Sequence, residues 1–100
     1  MSVEMILIRY RVRPERLAEH LRLLRAVHDE LARLRPSGFP YVSYRLDDER
    51  SFVEVATAPE LPGPLPQLES FRRFRAGLEA RCEERETFEP TVALSYGFEE

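Results

Sequence analysis

Residues 41–57 read YVSYRLDDERSFVEVAT, and this stretch decides the fold. Val42, Tyr44 and Leu46 alternate with polar neighbours, and so do Val53 and Val55 further on. Period-two alternation of β-branched and aromatic residues is the mark of a strand. Asp47 to Arg50 lie between the two runs. A two-residue turn at Asp48-Glu49 pairs Tyr44 with Val53 and Val42 with Val55. Directly opposed residues share a sheet face, so all four valines and tyrosines fall on one side. A slip of one residue would break that match. The middle of the chain is therefore expected to be a β-hairpin.

The flanks on either side each add a strand and a helix. Met5 to Val12 alternate, with Ile6, Ile8, Tyr10 and Val12 on one side. Pro14 opens a helix where its missing N–H is harmless. Leu17, Leu21, Leu24, Val27, Leu31 and Leu34 form the apolar stripe of that helix, and Pro36-Ser37-Gly38 stops it. Residues 58–66 hold four of the eight prolines and read as a stiff loop. A second helix is expected over residues 67–86, with Leu68, Phe71, Phe74, Leu78 and Cys82 inside. Val92, Leu94, Tyr96 and Phe98 alternate as a last strand. The order βαββαβ is the ferredoxin-like pattern. Right-handed crossovers put both helices on one face of a four-stranded antiparallel sheet. The expected fold class is thus α+β, one domain over residues 1–100.

Composition narrows the function. The chain carries 15 arginines and 18 acids, net charge -3, without lysine. Nucleic-acid binding calls for a concentrated basic surface, so it is not expected. The single cysteine excludes an internal disulfide and a cysteine-cluster metal site. No apolar run is long enough to span a membrane, and no signal peptide is visible, so a cytoplasmic protein is expected.

The expected sheet has two unlike faces. One, with Tyr10, Val42, Tyr44, Val53, Val55, Val92, Leu94 and Tyr96, belongs under the helices. The other, with Leu7, Arg9, Tyr41, Arg45, Phe52 and Glu54, is a semi-apolar surface suited to a self-complementary contact. A homodimer joined sheet to sheet through those six residues is expected.

The chain resembles the dimeric α+β barrel superfamily, most of all the antibiotic-biosynthesis monooxygenase-like domains. The resemblance rests on Ile6-Leu7-Ile8-Arg9-Tyr10-Arg11-Val12, Pro14-Glu15-Arg16, Tyr44-Arg45, Phe52-Val53-Glu54-Val55 and Phe71-Arg72-Arg73-Phe74. It implies a homodimer in which two sheets close a barrel, and a ligand cavity between sheet and helices. It further implies oxidation of aromatic compounds with O2 and no cofactor, or in related proteins haem degradation. The family's usual tryptophan, asparagine and loop histidine have no counterpart in this chain, where Ala56 and Thr57 follow Val55.

His28 is the expected catalytic residue. On a helical wheel it lies within about 20° of Leu17, inside the stripe, where a histidine can accept a proton or ligate a metal or haem. Tyr10, Tyr44 and Tyr96 are expected to join it in lining a site for a small aromatic ligand. His20 falls near the stripe but closer to the helix start. Two turns of helix separate it from His28, too far to share one metal ion, and no metal or cofactor is expected. Cys82 reads as a small buried hydrophobe. The alternatives are a non-catalytic dimeric module with a filled core and a haem-binding protein.

Overall fold

A computed structural model describes residues 4–97. Its sheet comprises β1 (Glu4–Val12), β2 (Tyr41–Arg45), β3 (Ser51–Ala58) and β4 (Cys82–Phe88), ordered β2-β3-β1-β4 with every neighbouring pair antiparallel. A 3-10 turn at Pro14–Arg16 leads into α1 (Leu17–Leu34), and a second at Leu65–Gln67 leads into α2 (Glu69–Ala76) and the short α3 (Leu78–Arg81). This is the ferredoxin-like α+β fold. Arg35 ends α1 in the left-handed region, its N–H bonded to the Leu31 carbonyl at 2.7 Å.

The hairpin pairs as expected, Val42 opposite Val55 and Tyr44 opposite Val53. Its turn is held by Asp48, whose carboxylate accepts from the backbone N–H groups of Arg50 and Ser51. The faces of the hairpin, however, are the reverse of the expectation. β3 pairs with β1 so that Tyr10 opposes Phe52, Ile8 opposes Glu54 and Ile6 opposes Ala56. Phe52, Glu54 and Ala56 therefore lie with Tyr10 under the helices and are buried. On β2, Tyr41, Ser43 and Arg45 share that side, opposite Ala56, Glu54 and Phe52. Val42, Tyr44, Val53 and Val55 face outward with Leu7 and Arg9. Of the six residues expected on the outer face, only Leu7 and Arg9 lie there. A hairpin fixes which residues share a side but not which side is inside. Here the long-range register with β1 makes that choice, and it seats the bulkier Phe52 against the helices.

The last strand is also relocated. Gly77 interrupts the expected second helix, and Cys82 opens β4 rather than closing a helical stripe. β4 sits at the sheet edge with both faces of Glu83 to Phe88 in water, so it lacks an apolar alternation. Charge pairs it to β1: Glu84 opposes Arg11 and Glu86 opposes Arg9, and the Arg11 guanidinium lies 3.6 Å from Glu84. Such charges also blunt an edge against unwanted pairing. Val92, Leu94 and Tyr96 form no strand and are exposed; Phe98 lies outside the described residues.

The core joins Tyr10, Val12, Leu24, Val27, Phe52, Phe74 and Leu78. The 3-10 turn ahead of α2 contributes Leu65, and Leu68 follows it at the start of α2, both buried. Burying one such side chain contributes roughly 2 kcal/mol. From α1 the buried residues are His20, Leu24 and Val27, spaced four and three apart, so His20 occupies a core position of the helix.

Candidate functional site

A chain of polar side chains crosses the interface between sheet and helices. At its buried end, Arg81 lies on α3 with its guanidinium turned back into the core. Its Nε donates to His20 Nδ1 at 3.2 Å, and its second terminal nitrogen donates to the Phe74 carbonyl at 2.7 Å. Nδ1 of His20 is thus an acceptor, which places the ring proton on Nε2. That nitrogen is 2.8 Å from the Tyr10 hydroxyl. The Tyr10 hydroxyl donates onward to Glu54 Oε2 at 2.5 Å. Each donor in the sequence Arg81, His20, Tyr10 points toward Glu54, so the hydrogen bonds run in one direction.

The other oxygen of Glu54 faces the edge strand. Tyr41 donates to Oε1 at 3.1 Å, and Ser43 donates to the same oxygen. The Ser43 hydroxyl is in turn 2.8 Å from His28 Nε2. Buried Tyr10, His20 and Glu54 give way here to half-buried Tyr41, Ser43 and His28. The rings of His28 and Tyr41 stack at 4.9 Å between centroids and 18° between planes, and Phe39 stacks on Tyr41 at 6.1 Å. Deeper in, His20 packs against Tyr10, Phe52 and Phe74 at 5.0–5.3 Å.

These surroundings set the charges. Burial, assisted by the Arg81 cation, pulls His20 down to about 4, so it is neutral at physiological pH. Burial pushes Glu54 above the usual carboxylate range, while the hydroxyls of Ser43, Tyr10 and Tyr41 and the nearby His28 hold it down. Burial and the Glu54 carboxylate push Tyr10 and Tyr41 well above an ordinary phenol, so both stay protonated donors. Cys82 is also pushed up by burial, the opposite of an activated thiol.

Of the expected ligand-lining residues, Tyr10 and His28 converge on Glu54, Tyr10 directly and His28 through Ser43. Tyr44 does not join them, because it stands exposed on the opposite face of the sheet. Tyr96 does not either, because it lies exposed beyond β4. Glu54, Phe52 and Tyr41 face the helices rather than a partner sheet, as does Arg45, at the rim.

Sequence reading put His20 near the stripe without giving it a role, missed Arg81 and Ser43, and misplaced Glu54. The position of His20, four before Leu24 and seven before Val27, was the available signal for burial. Arg81 carried no signal, since a helix-end arginine is ordinarily solvated.

Two spaces bear on ligand access. A shallow depression of about 340 Å³ lies along α1, lined by Leu21, Arg22, Arg25, Ala26 and Asp29. A gap of about 10 Å³ lies between β1 and β4 beside Tyr10, room for a single water. Neither opens between sheet and helices beside His28. Among the described residues no three His, Cys, Asp or Glu side chains gather as a metal site would require. Nor is any described helix long and apolar enough to cross a membrane.

Solved structures share this architecture across nearly the whole chain. One, provisionally described as an antibiotic biosynthesis monooxygenase from Bacteriodes thetaiotaomicron, aligns with a TM-score of 0.77 at 16% identity, covering 99% of this chain and 97% of that one. The chain has the fold of the antibiotic-biosynthesis-monooxygenase-like proteins. A variant of SnoaB, a cofactor-independent oxygenase from Streptomyces nogalater, aligns with a TM-score of 0.68 at 18% identity, covering 95% and 97% of the two chains. A dimeric ferredoxin-like protein of unknown function from Jannaschia sp. CCS1 aligns with a TM-score of 0.67 at 14% identity, covering 91% and 100%. At such identities the likeness to monooxygenase-like proteins is a likeness of fold. No family model matches the sequence, and no curated protein matches it.

Proposed function

We propose that the chain works as a homodimer and binds a small aromatic ligand of the phenol or quinol class at the half-buried end of the Glu54 network. Glu54 takes the ligand's proton. The observation that carries this reading is the placement of Glu54, a buried carboxylate whose Oε1 side leads out through Ser43 to a half-buried histidine. A ligand hydroxyl that displaces the Ser43 hydroxyl donates to Oε1 in its stead, against the aromatic wall of His28, Tyr41 and Phe39. Burial raises the basicity of Glu54 toward that of the proton it must accept. When the ligand leaves, the Ser43 hydroxyl returns to Oε1 and relays the proton to His28 and solvent, a change from the expected role of His28 as the primary base. In the oxidative form of this reading the deprotonated ring reacts directly with O2, and no cofactor takes part.

The descriptions of two neighbours of the same fold, as an antibiotic biosynthesis monooxygenase and as a cofactor-independent oxygenase, support this reading. The dimer is supported by the neighbour described as dimeric. It is supported also by the outward row of Leu7, Val42, Tyr44, Val53 and Val55. Oxygen consumption with a panel of hydroquinones is the test. Turnover above the uncatalysed rate, reduced at least ten-fold by Glu54→Gln and by His28→Ala, is expected. Background rates throughout would sink the oxidative reading.

One observation favours a second reading, a non-catalytic dimeric module. Both oxygens of Glu54 already hold donors from within the chain, and the space beside Tyr10 is about 10 Å³. Absence of turnover together with absence of any bound aromatic ligand would select it.

A further inference from the structure

Arg81 stands where an arginine is costly. It is 1% exposed, with its guanidinium over the Phe74 ring at 5.3 Å. Among the described residues it forms no ion pair, and a buried cation without a close counter-charge loses its hydration uncompensated. Its backbone is tied on both sides. The Arg81 N–H donates to the Gly77 carbonyl at 3.1 Å, and its own carbonyl accepts from Arg13 at 2.8 Å. Gly77 also makes room for the side chain. A Cβ at that position would lie 2.9 Å from Arg81 Nη1, closer than such atoms approach.

The influence of Arg81 reaches Glu54 through the count of protons. A guanidinium has donors and no acceptor, so the Arg81 Nε–H leaves His20 Nδ1 bare. His20 is neutral, and its one ring proton is on Nε2, where it fills the 2.8 Å contact with the Tyr10 oxygen. Tyr10 is 1% exposed, and its own single proton points at Glu54 Oε2 across 2.5 Å. A proton on Oε2 would put two hydrogens into that contact. Relieving the clash means turning the Tyr10 hydroxyl toward His20 Nε2. The His20 proton must then move to Nδ1, where Arg81 already donates. No such block acts on Oε1. Its donors are the hydroxyls of Tyr41 and Ser43, and the Ser43 hydroxyl can turn to His28 Nε2, 2.8 Å away.

We propose that Arg81, seated by Gly77, is a positioning residue that confines the proton Glu54 accepts to Oε1, the oxygen on the ligand side. The inference rests on the reading of Glu54 as the ligand's proton acceptor, and adds what decides between the two carboxylate oxygens. A proton on Oε2 would be stranded in the core beside Tyr10. One on Oε1 stays within reach of Ser43 and His28, and so of solvent.

NMR of ¹⁵N-labelled histidine tests it, because the two ring nitrogens of His20 report the tautomer directly. The unaltered chain, Arg81→Met, Arg81→Lys and Gly77→Ala are each titrated anaerobically with hydroquinone at neutral pH. The ¹³C resonance of the Glu54 carboxyl is followed alongside. The unaltered chain is expected to keep His20 wholly in the Nε2–H form up to saturation. Arg81→Met is expected to give a mixture whose Nδ1–H share grows as Glu54 takes up the proton. Gly77→Ala, which crowds the guanidinium without removing it, is expected to lose the single tautomer as well. Arg81→Lys restores it, a rescue that a purely space-filling role would not require. Emergence of Nδ1–H in the unaltered chain at saturation would overturn the role of Arg81 and leave Glu54 as the acceptor. So would a single Nε2–H tautomer that persists in Arg81→Met, or in Gly77→Ala should the first variant not fold. A Glu54 resonance that never responds in the unaltered chain would overturn the acceptor reading and this inference together.

Discussion

The Tyr10 hydroxyl sits between His20 Nε2 at 2.8 Å and Glu54 Oε2 at 2.5 Å, accepting from the first and donating to the second. Among the described residues, neither neighbour has another partner at that atom. Tyr10→Phe therefore leaves a buried N–H and a buried carboxylate oxygen unpaired, with almost no change in packing volume. A loss of about 2–4 kcal/mol in unfolding free energy is expected, since a hydrogen bond to a buried charge is worth more than a neutral one. Urea unfolding of the two proteins measures it. A difference under about 0.5 kcal/mol would mean that water replaces the hydroxyl.

The neutral state of His20 gives a pH dependence whose sign is fixed. Burial holds the folded pKa at about 4, below the unfolded value of 6.5. Its contribution to stability is therefore complete above pH 6.5 and declines as pH falls toward 4. The unfolded chain then binds a proton that the folded chain refuses. The whole step is worth about 3 kcal/mol. Glu54 works in the other sense, because its raised pKa lets the folded state take up a proton first as the pH drops. Thermal melts between pH 7 and 4 should show a falling midpoint. A matching His20→Phe series should lose most of the slope above pH 5.

Arg81 orients the network without touching its carboxylate. Replacement by methionine keeps the aliphatic stem but removes the donor to His20 Nδ1 and the cation that depresses its pKa. The expected outcome is a His20 titration midpoint that moves upward from about 4, with roughly 1–3 kcal/mol of stability lost to the unpaired groups. Proton NMR of the imidazole C–H resonances reads the midpoint directly. A midpoint that stays where it was would show that burial alone sets it.

What the sequence disclosed followed from local periodicity. The stripe of α1, the first strand and the hairpin pairing of Val42 with Val55 are all settled by neighbours close in the chain. The errors came where distant residues decide. The β1–β3 register sends Glu54 inward and Val55 outward, yet the valines read as the natural core row. β4 is an edge strand whose Glu84 and Glu86 oppose Arg11 and Arg9, so it shows no alternation, and the apolar alternation nearby belongs to exposed residues outside the four strands. His28 was chosen for its place on the helical wheel, and it does reach the network. His20 is more deeply buried, and Arg81 fixes its tautomer.

The central claim is that Glu54 accepts the proton of an aromatic ligand entering past His28. Titration of the protein, carrying ¹³C-labelled glutamate carboxyls, with a simple hydroquinone under anaerobic conditions tests it most directly. The account predicts a saturable shift of the Glu54 carboxyl resonance, accompanied by shifts at Tyr41 and His28. A Glu54 resonance that stays still while signals move only along α1, or move nowhere, would contradict it.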